Sequence, residues 1–390
     1  MFYIGIDIAK RSHEVSVLDD SQRILEPSMK VANTSAGTQK LLALFQKHQV
    51  MPENCLIGME STGHYWLVFY SFLVGKGFSV KVINPIVTNA YRNMLVRKVK
   101  NDSVDAQVVA KVLMLGEYKE SPVANEEVLA LRQLCRFRSY EVDTCSDLKR
   151  KVIALLDQVF PEYDSMLSDI FGLTSREVLS KFTTPEELSQ INTRKLSNLI
   201  NKASKGRFGV EKALEMKAIA SKSLGIKIAT DAFTFQLRQL VEQLEFIEKQ
   251  VEKLDAQIAD YMKRTDSSIT SIPGIGPVLG AVIISEIGDI TRFSGAKKVV
   301  AYAGLDASVS QSGDFEGSHM HMSKRGSPYL RRAIFTAANV ASRCDSDLCA
   351  YYKRLKARGK HHNVAIGAVA RKLCYIIFAV LTENRPFEIR

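Results

Sequence analysis

Along the first 118 residues the apolar positions recur with two periods. Phe2, Ile4, Ile6 and Ile8 alternate with Tyr3, Gly5 and Asp7, the period-two pattern of a strand buried on one face. HEVSVLDD and RILEPSMKVAN are two more strand-like runs, separated by Asp19-Asp20-Ser21-Gln22. Cys55 to Met59 is another apolar run, and Phe78 to Ile83 reads as a strand that Asn84-Pro85 stops. Helical stretches lie between and after them. One runs from an Asn33 or Thr34 cap to His48, and an apolar one runs from His64 to Gly75, where His64 and Trp66 read as packing residues. A third starts near Asp102 and carries Val104, Val108, Val109, Val112 and Leu113. Strand, strand, strand, helix, strand, helix, strand, helix predicts a ribonuclease H-like α/β domain over residues 1–120, since a doubly wound sheet alternates from its first strand.

The pattern then changes. Residues 121–265 read as helical, basic at first through Arg132, Arg136, Arg138, Lys149, Arg150 and Lys151. Residues 160–230, rich in Ser, Thr and Lys, read as a helical insertion with no assigned role. Leu237, Leu240, Leu244, Ile247, Val251, Leu254, Ile258 and Tyr261 alternate spacings of three and four, a coiled-coil seam that predicts a dimer or an antiparallel hairpin. Residues 266–390 read as a mainly helical third domain. In it SIPGIGPVLGAVIISEIG has the spacing of a helix-hairpin-helix element, whose Gly274 and Gly276 would aim backbone N–H groups at a phosphate. The same residues also make a good turn. A polar, serine-rich loop, Asp306 to Ser318, follows, and after it come His319, His321, Lys324, Arg325, Arg331 and Arg332. Five Lys or Arg lie between Lys353 and Lys360, Lys353 and Arg354 leading them.

Composition narrows the partner. A formal net charge of +11 favours a polyanion, nucleic acid before a membrane surface. Hydrophobic content of 46% and charged content of 24% are ordinary for a soluble protein of several domains. Six cysteines without any C-x-x-C exclude a zinc ribbon or thioredoxin motif and fit a reducing cytoplasm. No charged segment followed by an apolar one opens the chain, and the late apolar run Leu373 to Leu381 is too short to cross a bilayer. A cytoplasmic protein away from membranes is expected.

Four carboxylates carry the candidate chemistry. Asp7 ends the first strand, Glu60 ends the run LIGME before Ser61-Thr62-Gly63, and Asp102 and Asp105 are three apart at a helix start, on one helical face. Strand C-termini are where open α/β sheets place ligands. An Asp at a helix start is ordinarily a cap. An acid inside an apolar strand is costly unless it is paired or metal-bound. Four acids that meet would repel one another unless a cation neutralises them, and oxygen-only donors point to Mg²⁺ or Mn²⁺ rather than zinc.

The series GIDIAK, ESTGHYW, INP, NDSVDA, PGIGP, AYAGL, a serine loop, MSKRG and YLRRA resembles the DEDD-type bacterial insertion-sequence transposases. The resemblance covers roughly residues 1–150 and 235–390. It implies a RuvC-like N-terminal domain joined to a serine-bearing C-terminal transposase domain. It also implies a homo-oligomer in which acids and serine come from different protomers, and a guide RNA encoded in the element. Asp7, Glu60, Asp102 and Asp105 would be the metal-holding set, and Ser312 in QSGD the nucleophile that forms a phosphoserine link to DNA. The residues themselves do not choose Ser312 over Ser308, Ser310 or Ser318. Lys324, Arg325 and Arg331 would stabilise charge. Competing readings are a Mg-dependent junction hydrolase in which the acids activate water, a non-catalytic nucleic-acid-binding module, and an actin-like ATPase. The last is disfavoured by Ala9 and Lys10 where that class needs Gly and Thr.

Overall fold

The computed structural model describes residues 1–60, 63–94, 102–116, 118, 125–307, 311–312, 315–316 and 321–388; Asp102 and Ser312 are placed by backbone alone. The chain divides into two compact units, Met1–Val123 and Ala124–Arg390.

In the first unit the order is β1 (Phe2–Asp7), β2 (Ser12–Asp19), β3 (Ile24–Ala32), α1 (Ser35–Lys47), β4 (Cys55–Glu60), α2 (Trp66–Gly75), β5 (Val80–Ile83), α3 (Pro85–Met94) and α4 (Asp102–Leu115). The sheet order is β3-β2-β1-β4-β5, with β1, β2 and β3 antiparallel and β4 and β5 parallel to β1. This is the ribonuclease H-like topology that the alternation predicts. Thr34 caps α1, its side chain accepting from the Gly37 N–H. The helix expected from His64 starts at Trp66, because Gly63 adopts φ +58° and turns the chain before it.

Strand alternation splits the sheet between two cores. Ile4, Ile6, Ile8, Val15, Val17, Ile57 and Met59 face α1 and α2, whose Leu41, Phe45, Phe69 and Leu73 are buried with them. Tyr3 and Leu56 face the other way, toward Val108, Val109, Val112 and Leu113 of α4. Two glycines let α4 lie directly on this second face. A Cβ on Gly5 would stand 2.0 Å from the Ala106 carbonyl oxygen, and one on Gly58 2.6 Å from Leu113 Cδ1.

The second unit is almost wholly helical. Helix α5 (Glu126–Val159) is followed by five short helices, α6 (Tyr163–Met166), α7 (Leu173–Leu179), α8 (Pro185–Gln190), α9 (Thr193–Ala203) and α10 (Val210–Ala220), and then by α11 (Thr230–Arg264). Helices α5 and α11 run antiparallel, tied by the Arg138–Asp255 pair and by Lys149–Glu248 at 3.0 Å. Of the predicted seam, Leu237, Leu244 and Ile258 are buried, while Ile247, Val251 and Leu254 are half-buried. The antiparallel hairpin therefore forms within the chain. The insertion at its tip has a core of its own, with Phe160, Tyr163, Leu188, Leu196 and Ile200 nearly or fully buried.

The remaining elements are α12 (Pro277–Ile287), α13 (Ala296–Tyr302), the two-residue strands β6 (Gln311–Ser312) and β7 (Phe315–Glu316), α14 (Pro328–Cys344), α15 (Ser346–Ala357) and α16 (His362–Glu383). The short apolar run near the C-terminus belongs to a longer element than expected. The 22 residues of α16 are long and apolar enough to cross a membrane by length and composition, with hydropathy of 2.0. Its apolarity has a use inside the protein: Ile366, Val369, Leu373 and Ile377 are buried in one core with α12 and α14.

Candidate active site

Asp7 and Glu60 are brought side by side by strand register. β1 and β4 are parallel neighbours with Ile6 opposite Met59, so the next residue of each strand, Asp7 and Glu60, closes it at the carboxyl edge. Alternation puts both on the face that α4 covers, since Gly5 meets Ala106 and Gly58 meets Leu113. Asp105, one residue before Ala106 and 9% exposed, enters from that helix. Asp102 begins α4 one turn earlier, and its side chain lies outside the described residues.

Asp105 is already opposite a positive charge. Arg92 of α3 places Nη2 2.9 Å from Asp105 Oδ1, with only 15% and 12% of the two side chains exposed. Oδ1 is buried and accepts no hydrogen bond, so the contact is a charge pair without hydrogen-bond geometry. Another acid shares the face. Glu14 pairs across β1/β2 with Asp7, and its Oε2 accepts from Ser28 Oγ at 2.5 Å. Sequence reasoning missed both residues. Folding HEV back onto GID as a hairpin would have put Glu14 beside Asp7, whereas Arg92 had no signal beyond its position on the helix after Asn84-Pro85.

The donors are all oxygen, the chemistry that a hard divalent cation takes. Among the described residues no group of three His, Cys, Asp or Glu stands close enough to hold one. Asp105 is engaged by Arg92, and the Asp102 side chain lies outside the described residues.

The serine loop has a closely built stem. Ala307 bridges Met322, the Ser323 N–H donates to the Asp306 carbonyl at 2.8 Å, and the Ser323 hydroxyl also donates to the Asp306 carboxylate. Gly304 (φ +65°) and Gly326 (φ +91°) permit this approach, because a Cβ on either would lie 2.1 Å from a carbonyl oxygen, that of Arg325 or Tyr302. At the far end β6 pairs with β7, Ser312 opposite Phe315, a hairpin register that sets the Ser312 backbone. The stem rests on a buried carboxylate. Glu286, 1% exposed, accepts from Arg136 Nε at 2.7 Å, Arg136 Nη2 at 3.0 Å and Ser327 Oγ at 2.8 Å, and Ser327 caps α14.

The residues expected to meet nucleic acid divide by what else they do. Lys324, Arg325, Lys353 and Arg354 are exposed. Arg331 Nη1 reaches the Ala303 and Lys324 carbonyls at 3.3 and 3.1 Å, so this side chain clamps the stem. Arg332 pairs with Asp143 of α5 at 2.7 Å. Gly274 (φ +85°) lets its turn sit against α14, where a Cβ would come within 2.6 Å of the Ala337 carbonyl. Gly276 stands exposed and open at the start of α12, the helix end that suits an anion.

Comparison with known proteins shows the family. A family model of DEDD transposases of the IS110 group, described as "Transposase", matches residues 4–161, and a model described as "Transposase IS116/IS110/IS902 family" matches residues 266–353. The chain belongs to the IS110/IS116/IS1111 family of bacterial transposases. This IS110-family chain is 28% identical to the IS117 mini-circle protein of Streptomyces coelicolor over 377 residues, 93% of this chain and 89% of that protein. It is 23% identical to the 43.6 kDa protein of insertion element IS110 from the same organism, over 100% and 96% of the two chains. The pilin gene-inverting protein of Moraxella bovis is 24% identical over 100% of this chain and 98% of its own. The first family model spans all four predicted acids of the transposase, and the second spans Ser312 and the residues after it through Lys353.

Proposed function

We propose that this transposase cuts and rejoins DNA strands at the ends of an insertion element and at its target, with Asp7, Glu60, Asp102 and Asp105 as a Mg²⁺ or Mn²⁺ site and Ser312 as the nucleophile. The observation that carries the reading is the in-register pair Asp7 and Glu60 at the edge of parallel strands, beneath the helix that brings Asp105. A bound divalent cation would neutralise charge on the scissile phosphate and make it more electrophilic. The carboxylates hold their oxygens on one face for that purpose. Ser312 Oγ loses its proton to solvent as it bonds to phosphorus, and the strand oxygen leaves and takes up a proton; a second strand's hydroxyl then loses its proton and displaces the serine, which is reprotonated. Each step exchanges one phosphate ester for another, so no ATP is needed. Exposed Lys324 and Arg325 stand at the base of the serine loop to meet phosphate charge.

The relative named for inverting a gene supports rejoining over simple hydrolysis, because inversion requires that cut strands be resealed. The family resemblance brings the remaining partners: a guide RNA encoded by the element, and a second copy of the chain, for which the half-buried Val251 and Leu254 offer apolar surface. The six free cysteines suit work in the cytoplasm. The test is the formation of a covalent protein–DNA adduct by the wild type and its loss in Ser312→Ala.

A further inference from the structure

We infer that the basic face of α9, in the insertion at the tip of the helical hairpin, is a docking surface for the phosphate backbone of double-stranded DNA. The inference rests on the reading that this transposase acts on DNA, and not on the roles given to the acids or to Ser312.

Charge is segregated along the insertion. Residues 160–190 hold six Asp or Glu against two Lys or Arg, whereas residues 191–230 hold nine Lys or Arg against two Glu. The second stretch alone stands at +7, of a formal +11 for the whole chain. It lies outside both segments that the family models match, 4–161 and 266–353. Leu196, Ile200, Ala213 and Met216 bury the inner faces of α9 and α10. On the opposite face of α9, Arg194, Asn198, Asn201 and Lys202 lie three or four residues apart in one stripe, which Lys205 prolongs past the helix end. All five are exposed.

Neighbouring acids do not balance this stripe. The ion pairs nearby use other cations: Lys181 with Glu177 at 3.4 Å, Lys212 with Glu215 at 2.8 Å, and Arg238 of α11 with Glu187 at 2.8 Å. Arg194 and Lys195 also stand in the first turn of α9, which holds no acid. Cations there oppose the helix dipole, and a bound polyanion offsets that cost together with their mutual repulsion.

The aromatic content points to paired strands. Phe208 is the sole aromatic residue from 191 to 230, and it is half-buried, with the Arg207 guanidinium 5.3 Å from its ring centre. With no exposed ring to stack on unpaired bases, the stripe suits a duplex backbone rather than a single strand. Helix α5 sets its reach. Arg136 meets Glu286 beneath the serine-loop stem, and α5 runs on to Val159, about 35 Å farther at 1.5 Å per residue. The stripe therefore meets DNA flanking the reacting strands, on the order of ten base pairs away.

The test is fluorescence anisotropy of the full chain with labelled duplex DNA over a salt series, without divalent metal. Arg194→Gln with Lys202→Gln removes two charges from the stripe and should lower the slope of log K against log salt by about two. The loss should be the same on element-end DNA and on a random duplex, because backbone contacts carry no sequence. Lys181→Gln with Lys212→Gln removes two charges that are already paired and should leave the slope near the wild-type value. Arg194→Lys with Lys202→Arg keeps both charges and should keep the slope. An unchanged slope in the stripe variant, or equal changes in the two Gln pairs, would overturn the inference, and so would an effect seen with duplex RNA but not with DNA. Ser312→Ala should retain the wild-type slope, which tests the surface apart from the chemistry. A wild type with no salt-dependent binding to DNA would sink the DNA reading and the surface with it.

Discussion

Adding one methyl group at Gly5 should damage the first unit far more than adding one at Gly58, although both glycines lie under the same helix. At Gly5 the new Cβ would meet the Ala106 oxygen at 2.0 Å and the Ala110 nitrogen at 2.5 Å, both backbone atoms of α4. A normal contact needs more than an ångström of extra room, and only displacement of the helix can provide it. At Gly58 the obstacle is the end of the Leu113 side chain, at 2.6 Å, which can change rotamer. Overpacking costs roughly 1–3 kcal/mol, and Gly5→Ala belongs at or above the upper end while Gly58→Ala belongs near the lower. For a unit of this size about 3 kcal/mol corresponds to a fall in unfolding temperature of roughly 10 °C, and about 1 kcal/mol to some 3–4 °C. Because the chain has two units, the assay is hydrogen exchange read separately on β1 and α4 peptides, alongside calorimetry. Gly5→Ala should also weaken Mn²⁺ binding, since Asp105 is adjacent to Ala106. Equal, mild effects of the two substitutions would refute the claim that α4 is seated on the sheet at Gly5.

Two further outcomes follow from individual side chains. Burial is the main cause that lowers the His13 pKa below the ordinary imidazole value, with a hydrogen bond to Asn33 opposing it, and the ring packs on Phe69 at 4.5 Å. A depressed folded-state value means that His13 contributes its full stability above about pH 6.5 and loses it as pH falls toward the folded value. Unfolding midpoints of wild type should therefore drop with acidity over that window, and a His13→Leu variant should show a shallower drop. In DNA binding, Arg325→Ala should reduce the slope of log K against log salt by about one, the loss of one phosphate contact. Arg332→Ala should leave that slope nearly unchanged because Arg332 is paired with Asp143 at 2.7 Å; equal slopes for the two variants would contradict this assignment.

The first unit was legible because a single residue of register decides which face a strand residue occupies. Phe2, Ile4 and Ile6 against Tyr3, Gly5 and Asp7 marked the two faces, and Asn84-Pro85 marked the end of β5. The same alternation put Asp7 and Glu60 at strand ends, and the β1–β4 register set them side by side. What the pattern did not carry was pairing between distant elements. Glu14 becomes a neighbour of Asp7 only once the hairpin register is known, and Arg92 reaches Asp105 only because α3 packs on α4. The coiled-coil seam was visible in its spacing, but spacing has no information about the partner helix; α5, basic and amphipathic, takes that place within the chain. Arg331 and Gly274 looked like phosphate contacts as sequence, and the structure gives each a use in packing the loops. The apolar run at Leu373 reads as short because Lys372 and Arg371 interrupt it, although α16 continues through them.

The most direct test of the account is a denaturing gel of labelled DNA spanning the element junction, incubated with the full chain, its element's RNA and Mg²⁺. The account predicts a slowly migrating protein-linked DNA band that disappears with Ser312→Ala and, separately, with Asp105→Asn. Free cleaved DNA that persists in Ser312→Ala would contradict it and make the enzyme a hydrolase.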